Sequence, residues 1–181
     1  MGLILFTETP LDGMWLIEFE RIVDERGWFA RSFDREEMIA HGCNPDVVQC
    51  NASYNLAAGT LRGMHYQAAP HDESKLVRCV RGAIFDVAVD LRVDSRSYCA
   101  WHGVELSADN GLALYIPAGL AHGFQTLKDD CEVLYLMGQP YVPGAGRGVR
   151  YDDPAFGIEW PPFAGEKIIS ERDASYPYLK P

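Results

Sequence analysis

Short runs rich in Val, Ile, Leu, Tyr and Phe alternate with turn-forming residues along most of the chain. The runs at 14–19, 47–54, 63–67, 75–80, 83–91, 100–106, 111–116, 123–126 and 133–137 predict strands. Many short strands between turn signals predict an all-β sandwich or barrel. One short helix is predicted at 34–41, where Asp34 supplies an N-cap, Arg35-Glu36-Glu37-Met38-Ile39-Ala40 the body and Gly42 the stop. In the run 83–91, Asp86, Ala88 and Asp90 share one face of a strand, while Phe85, Val87 and Val89 share the other. One face is therefore apolar and the other carries two carboxylates. From Pro140 onward the density of Pro and Gly predicts a loop-rich C-terminal tail that wraps back over the body, placed to deliver a residue to a cleft.

No internal repeat, low-complexity block or polar linker divides the 181 residues, so a single domain over 1–181 is expected. With 26 Asp and Glu against 16 Lys and Arg, the net charge of −10 argues against general binding to nucleic acid or a membrane surface. A local cationic pocket is still compatible with it. The apolar runs fall far short of the roughly 20 residues of a membrane span. Met1-Gly2-Leu3-Ile4-Leu5-Phe6 lacks the basic flank and cleavage site of a signal peptide, which makes the cytoplasm the expected location. The five cysteines, Cys43, Cys50, Cys79, Cys99 and Cys131, contain no C-x-x-C pair; most are expected as free thiols in the core, and all in a structural role. Cys50 is included, although it lies between Gln49 and Asn51.

The most telling stretch is Arg62-Gly63-Met64-His65-Tyr66-Gln67. A histidine, whose ordinary pKa is about 6.5, accepts a proton near neutrality without a large environmental shift. A carboxylate on one ring nitrogen would fix its tautomer, and Asp86, Asp90 and Asp173 are all candidates between which spacing does not choose. Lys75 shares a strand face with Val77 and Cys79, so it reads either as a solvated edge lysine or as a cation for an enolate or phosphate oxygen. Tyr135 reads as a core aromatic or as a phenol that returns a proton. Arg26, Arg31, Arg62 and Arg78 offer forked hydrogen bonds suited to phosphate. Trp28, Phe29 and Phe33 would either stack on a nucleobase or plug an apolar gap.

His122 lies in Pro117-Ala118-Gly119-Leu120-Ala121-His122-Gly123-Phe124, which resembles the second conserved motif of the cupin superfamily, small β-barrels of jelly-roll type. Many cupins bind metal through a His-x-His pair plus this later histidine. Here His65-Tyr66-Gln67 lacks the second histidine and no His and Glu set completes a shell, so a metal is not expected.

Taken together, the ordered motifs resemble the dTDP-4-dehydrorhamnose 3,5-epimerase family over nearly the whole chain. They are Asp24-Glu25-Arg26-Gly27-Trp28-Phe29, Gln49-Cys50-Asn51-Ala52-Ser53, Leu61 through Gln67, Lys75-Leu76-Val77-Arg78, and Phe85 through Arg92. Ile116-Pro117-Ala118-Gly119, Ala121-His122-Gly123-Phe124, Leu134-Tyr135, Asp153-Pro154 and Ser170-Glu171-Arg172-Asp173 continue the match. The resemblance implies a cupin-type jelly roll that epimerises a nucleoside-diphosphate 4-keto-6-deoxy sugar without metal or other cofactor. It implies that His65 is the base, Asp173 its partner, Tyr135 the acid and Lys75 the oxyanion cation. Arg26, Gln49, Asn51, Arg62 and His122 match positions that hold the nucleotide and sugar, and Arg31 and Arg172 are expected with them as substrate ligands. A homodimer with exchanged N-terminal segments is implied as well. Three departures stand out: Arg31 and Gly146 replace usual glutamates, and Arg172 replaces a lysine. They lead us to expect conserved chemistry with a changed nucleotide, sugar or number of inverted centres.

Overall fold

The computed structural model describes residues 2–179. In chain order its elements begin with β1 (Ile4–Glu8), β2 (Trp15–Phe19), the hairpin β3 (Ile22–Asp24) and β4 (Gly27–Phe29), and α1 (Arg35–Ala40). Then come β5 (Gln49–Asn55), β6 (Thr60–Gln67), β7 (Lys75–Arg81), β8 (Ala83–Asp90) and β9 (Trp101–Ser107). After β10 (Ala113–Ile116), β11 (Leu120–Thr126) and β12 (Cys131–Met137), the tail holds β13 (Gly146–Gly148), β14 (Ile168–Ile169) and α2 (Glu171–Ala174). One sheet runs β1-β2-β10-β7-β12-β5 and the other β13-β6-β11-β8-β9, with β14 lying parallel to β6 at its start. All other pairs are antiparallel.

The alternation read from the sequence drives the packing of the two sheets. Val77, Cys79, Leu114, Ile116 and Val133 from the first meet Ile84, Ala88, Leu106, Leu120 and Phe124 from the second in one buried cluster. Each large apolar side chain buried this way contributes about 1.5–3 kcal/mol before entropy is counted. Face-to-face packing of two antiparallel sheets is the expected cupin-type jelly-roll arrangement. Among the described residues no helix is long and apolar enough to cross a membrane.

The predicted helix forms as read. Asp34 accepts from the backbone of Glu36 and Glu37, and Met38 is the residue that α1 buries. The expectation of a single helix is corrected by α2, whose N-cap Ser170 accepts from the backbone N–H of Asp173. Four residues are too few to show a helical period. The tail is also more ordered than a set of loops, because Val149, Phe156, Ile158, Trp160 and Leu179 pack against Val87, Val89 and Phe85 on the outer face of β8. β8 is thus buried on both sides. Cys43, Cys79 and Cys131 are buried as expected, but Cys50 is exposed on β5 and is not a core thiol.

The two carboxylates of β8 are fully buried, so each must be paired. Asp90 accepts from the backbone, Nε and Nη2 of Arg92 and from the hydroxyls of Ser95 and Ser97, at 2.6 to 3.0 Å. Arg92 also donates to the Asp12 carbonyl at 2.7 Å, tying the turn before β2 to the end of β8. Burial pushes the Asp90 carboxyl up, and these hydrogen bonds more than offset it, leaving a pKa of about 2 against an ordinary 3.8. A depressed folded pKa stabilises the fold fully above about pH 4, and that contribution, about 2 kcal/mol, is lost as pH falls toward 2. Asp90→Asn should therefore cost about 3 kcal/mol at pH 6 in urea unfolding, and the gap to wild type should narrow markedly at pH 2.5. An equal gap at both pH values would refute this role.

Candidate active site

A cleft of about 360 Å³ opens between the sheets. β5, β7 and β12 supply Gln49, Asn51, Ser53, Lys75 and Tyr135 from one wall, while β6 and β11 supply Arg62, His65 and His122 from the other. Arg62 and His65 are an odd number of residues apart, so in a regular strand they would point to opposite faces. The ladder between β6 and β11 slips at this point: His122 pairs with His65 but Phe124 pairs with Arg62. The extra residue on β6 is a bulge, and it turns both side chains into the cleft.

Gly63 makes the bulge possible. Its φ is +134°, and a Cβ there would lie 2.5 Å from the Gly123 Cα and 3.1 Å from the His122 carbonyl oxygen. Its N–H has left the ladder and donates instead to Asp173 Oδ2 at 3.1 Å. The other oxygen, Oδ1, accepts from His65 Nε2 at 2.8 Å. Asp173 is thus the carboxylate among the three candidates that orients His65, brought in by α2. Burial raises the Asp173 carboxyl, but the hydrogen bonds from His65, Gly63 and Ser170, with the His65 charge, leave it below the usual carboxylate range.

Asp86 has a different partner. It accepts from His122 Nε2 at 2.7 Å, with both side chains almost fully buried. The cleft therefore holds two imidazole–carboxylate pairs on neighbouring strands. Lys75 lies inward as the alternation predicts, its Nζ 3.2 Å from the His65 carbonyl oxygen and 2.9 Å from Glu73 Oε1. Glu73 escaped the sequence reading, although its i, i+2 spacing to an inward lysine was available as a signal. Tyr135 and Ser53 share a hydrogen bond of 3.0 Å. Burial pushes the phenol well above its ordinary pKa, and the Ser53 bond offsets only part of that, so it keeps its proton through neutral pH.

Arg62 is steadied by Asn55 Oδ1 at 2.7 Å, and Gln49 accepts from the backbone of Tyr141, which also lines the cleft. Ser53, Asn55 and Tyr141 were not singled out from the sequence. Four arginines predicted as ligands do not line the cleft within one chain. Arg26 is highly exposed on the β3–β4 hairpin and pairs with Asp24. Arg31 pairs with Asp34 at the start of α1. Arg172 lies on α2, its guanidinium 5.8 Å from the centre of the Tyr176 ring. Arg78 packs over Phe19, away from the cleft.

The residues present do not fit a metal. No group of three or more His, Cys, Asp or Glu converges among the described residues, and the Gln67 amide oxygen, the atom that would ligate, accepts from the backbone N–H of Val142 at 2.8 Å.

The family model described as dTDP-4-dehydrorhamnose 3,5-epimerase matches residues 8–181. The chain belongs to that family. It is 44% identical over 164 residues to the dTDP-4-dehydrorhamnose 3,5-epimerase of Sinorhizobium fredii, covering 91% of this chain and 84% of the relative. The Bacillus anthracis dTDP-4-dehydrorhamnose 3,5-epimerase, solved with TDP and PPi bound, superposes with a TM-score of 0.92 at 37% identity, covering 98% of this chain and 100% of that one. The Legionella pneumophila dTDP-6-deoxy-D-glucose-3,5-epimerase, in complex with dTDP-4-keto-L-rhamnose, gives 0.90 at 35% identity over 97% and 93%. In this epimerase-family chain, the bulge and the dyad depend on one glycine. Gly63→Ala should cost about 2–4 kcal/mol in urea unfolding, because backbone strain and a backbone clash coincide there. A loss under about 0.5 kcal/mol would show that the β6–β11 contact gives way easily.

Proposed function

We propose that the protein inverts C3, C5 or both in a dTDP-4-keto-6-deoxy sugar by removing and returning a proton through an enolate. The observation that carries this reading is the opposition of His65 with Asp173 on one sheet to a protonated Tyr135 on the other. A C4 ketone acidifies the C–H bonds beside it. With Nε2–H donating to the Asp173 carboxylate, the His65 lone pair sits on Nδ1, which takes the proton while Asp173 stabilises the imidazolium. The ammonium of Lys75 stabilises the developing oxyanion. Tyr135 then delivers a proton to the carbon from the opposite wall, which inverts the centre. Arg62, with Gln49, Asn51 and His122, holds the diphosphate and sugar by charge-assisted and neutral hydrogen bonds.

The proposal extends to a homodimer in which N-terminal segments are exchanged. The β3–β4 hairpin exposes apolar side chains on both faces, Val23 at 74% with Trp28 at 55% on one and Phe29 at 61% on the other, which favours a partner. Exchange would bring the family position Arg26 to a cleft that its own chain does not fill. The chain acts as one domain, and its thiols, none of them paired, fit the reducing cytoplasm.

The test follows the proton. Incubation with dTDP-4-keto-6-deoxyglucose in deuterated water should place label at C3, C5 or both with inversion. A migrated carbonyl would make the protein a ketoisomerase, and no label would make it a binder. His65→Ala should abolish exchange, and Asp173→Asn should slow it by about 10²- to 10⁴-fold, because the imidazolium loses its counter-charge. Rates within a few-fold of wild type would overturn the assignment of the base. For the assembly, Trp28→Asp with Phe29→Asp should convert a dimer into a monomer by light scattering and remove turnover. A dimer that persists in the double variant would place the interface elsewhere.

A further inference from the structure

Beyond Asp173, the tail places a second group against His65. Tyr176 follows α2, and its ring meets the imidazole edge to face, with centroids 5.8 Å apart and planes at 74°. Such aromatic contacts are directional and contribute about 0.5–1.5 kcal/mol beyond area burial. The ring rests on Gly148 of β13, where a Cβ would lie 2.4 Å from Tyr176 Cε2. Gly148 is the residue paired with His65 across the β6–β13 ladder. A strand glycine directly beside the histidine thus provides the floor on which the tyrosine lies. Arg172, one turn earlier, covers the ring with its guanidinium at 5.8 Å.

The tyrosine hydroxyl is buried and has no hydrogen-bond partner among the described residues. A buried hydroxyl left unbonded costs free energy and holds nothing. Whatever Tyr176 does for its neighbours, it does through the ring. His65 needs such a neighbour, because its side chain is 42% exposed and a single hydrogen bond through Nε2 leaves the imidazole able to pivot about that bond. A pivot swings Nδ1, the atom that must meet the substrate C–H.

We propose that Tyr176 is a positioning residue for His65: its ring, seated on Gly148, blocks the pivot about the Asp173 bond and keeps Nδ1 aimed across the cleft. The inference rests on the reading of His65 as the base. Misplacement of a reacting atom by about 1 Å can cost about 10²-fold in rate, so the effect belongs in kcat rather than in substrate affinity.

The test uses the full-length protein and dTDP-4-keto-6-deoxyglucose, with wild-type solvent exchange as the control. Tyr176→Ala should lower kcat about 10- to 100-fold with KM within about twofold. The primary isotope effect measured with substrate deuterated at C3 and C5 should rise, since proton abstraction becomes more strongly rate-limiting. Tyr176→Phe should retain wild-type kcat and isotope effect. Gly148→Ala, which drives a methyl group into the ring, should reproduce the Tyr176→Ala pattern. If Tyr176→Ala does not fold, Tyr176→Leu fills the space above Gly148 without the aromatic edge and should still lower kcat and raise the isotope effect. Wild-type kcat in Tyr176→Ala or Tyr176→Leu overturns the proposal, as does a loss in Tyr176→Phe equal to that in Tyr176→Ala. Absence of exchange in the wild type would instead overturn the reading of the function.

Discussion

The site depends on one extra residue in β6. A regular strand would send Arg62 and His65 to opposite faces, one to the cleft and one to the outer core where Met64 now packs. The bulge at Gly63 sends both inward and frees one backbone N–H. A buried donor without an acceptor is costly, and Asp173 supplies the acceptor. The same carboxylate then has its second oxygen free for His65. Backbone irregularity, tail docking and imidazole orientation are therefore a single arrangement. Gly63 and Gly123 permit it, because the two backbones approach more closely than any Cβ would allow.

Around that arrangement, the protonation states divide cleanly. Hydrogen bonds overcome burial at Asp173 and keep it charged, while burial wins at Tyr135 and keeps it neutral. Two ionisable groups of one site are thus held in opposite charge states, a carboxylate beside His65 and a phenol that keeps its proton. Elsewhere in the cleft Lys75 is matched locally by Glu73, and the buried Asp86 accepts a hydrogen bond from His122. A strongly acidic chain can in this way present a cleft with Arg62 and Lys75 on its walls. The net charge of −10 describes the outside of the molecule rather than its site.

The sheet framework was legible because alternation reports which face of a strand is buried. It put Lys75 on one strand face with Val77 and Cys79, which lie in the core while Lys75 lines the cleft, so the inward of its two readings holds. The bulge was not legible, since a two-residue period carries no sign of an inserted residue. The His65–Asp173 pair spans 108 positions, so spacing alone left three carboxylates open and the family resemblance pointed to one. α2 is too short for a period, and the strands of the tail are only two or three residues long. Tyr176 gave no signal at all, because its contact depends on a glycine on a strand that the sequence did not reveal. Arg26 matches a family position and Arg31 departs from one, yet both are paired with aspartates of their own segment.

The three departures from the family pattern reduce to two places in the fold. Arg31 is committed to Asp34, the residue that caps α1, so the change from a usual glutamate is absorbed at that helix start. Gly146 and Arg172 belong together: a Cβ at 146 would lie 3.7 Å from Arg172 Nη2 and 4.0 Å from Tyr141 Cε2. A glutamate there would have met the cation at 172. Its absence leaves the guanidinium to the face of Tyr176, whose ring in turn abuts His65. A planar guanidinium stacks on an aromatic face better than an ammonium does, so arginine suits a position beside the Tyr176 ring. Arg172 and Tyr141 thus both lie beside position 146, which puts a positive charge near the edge of the cleft.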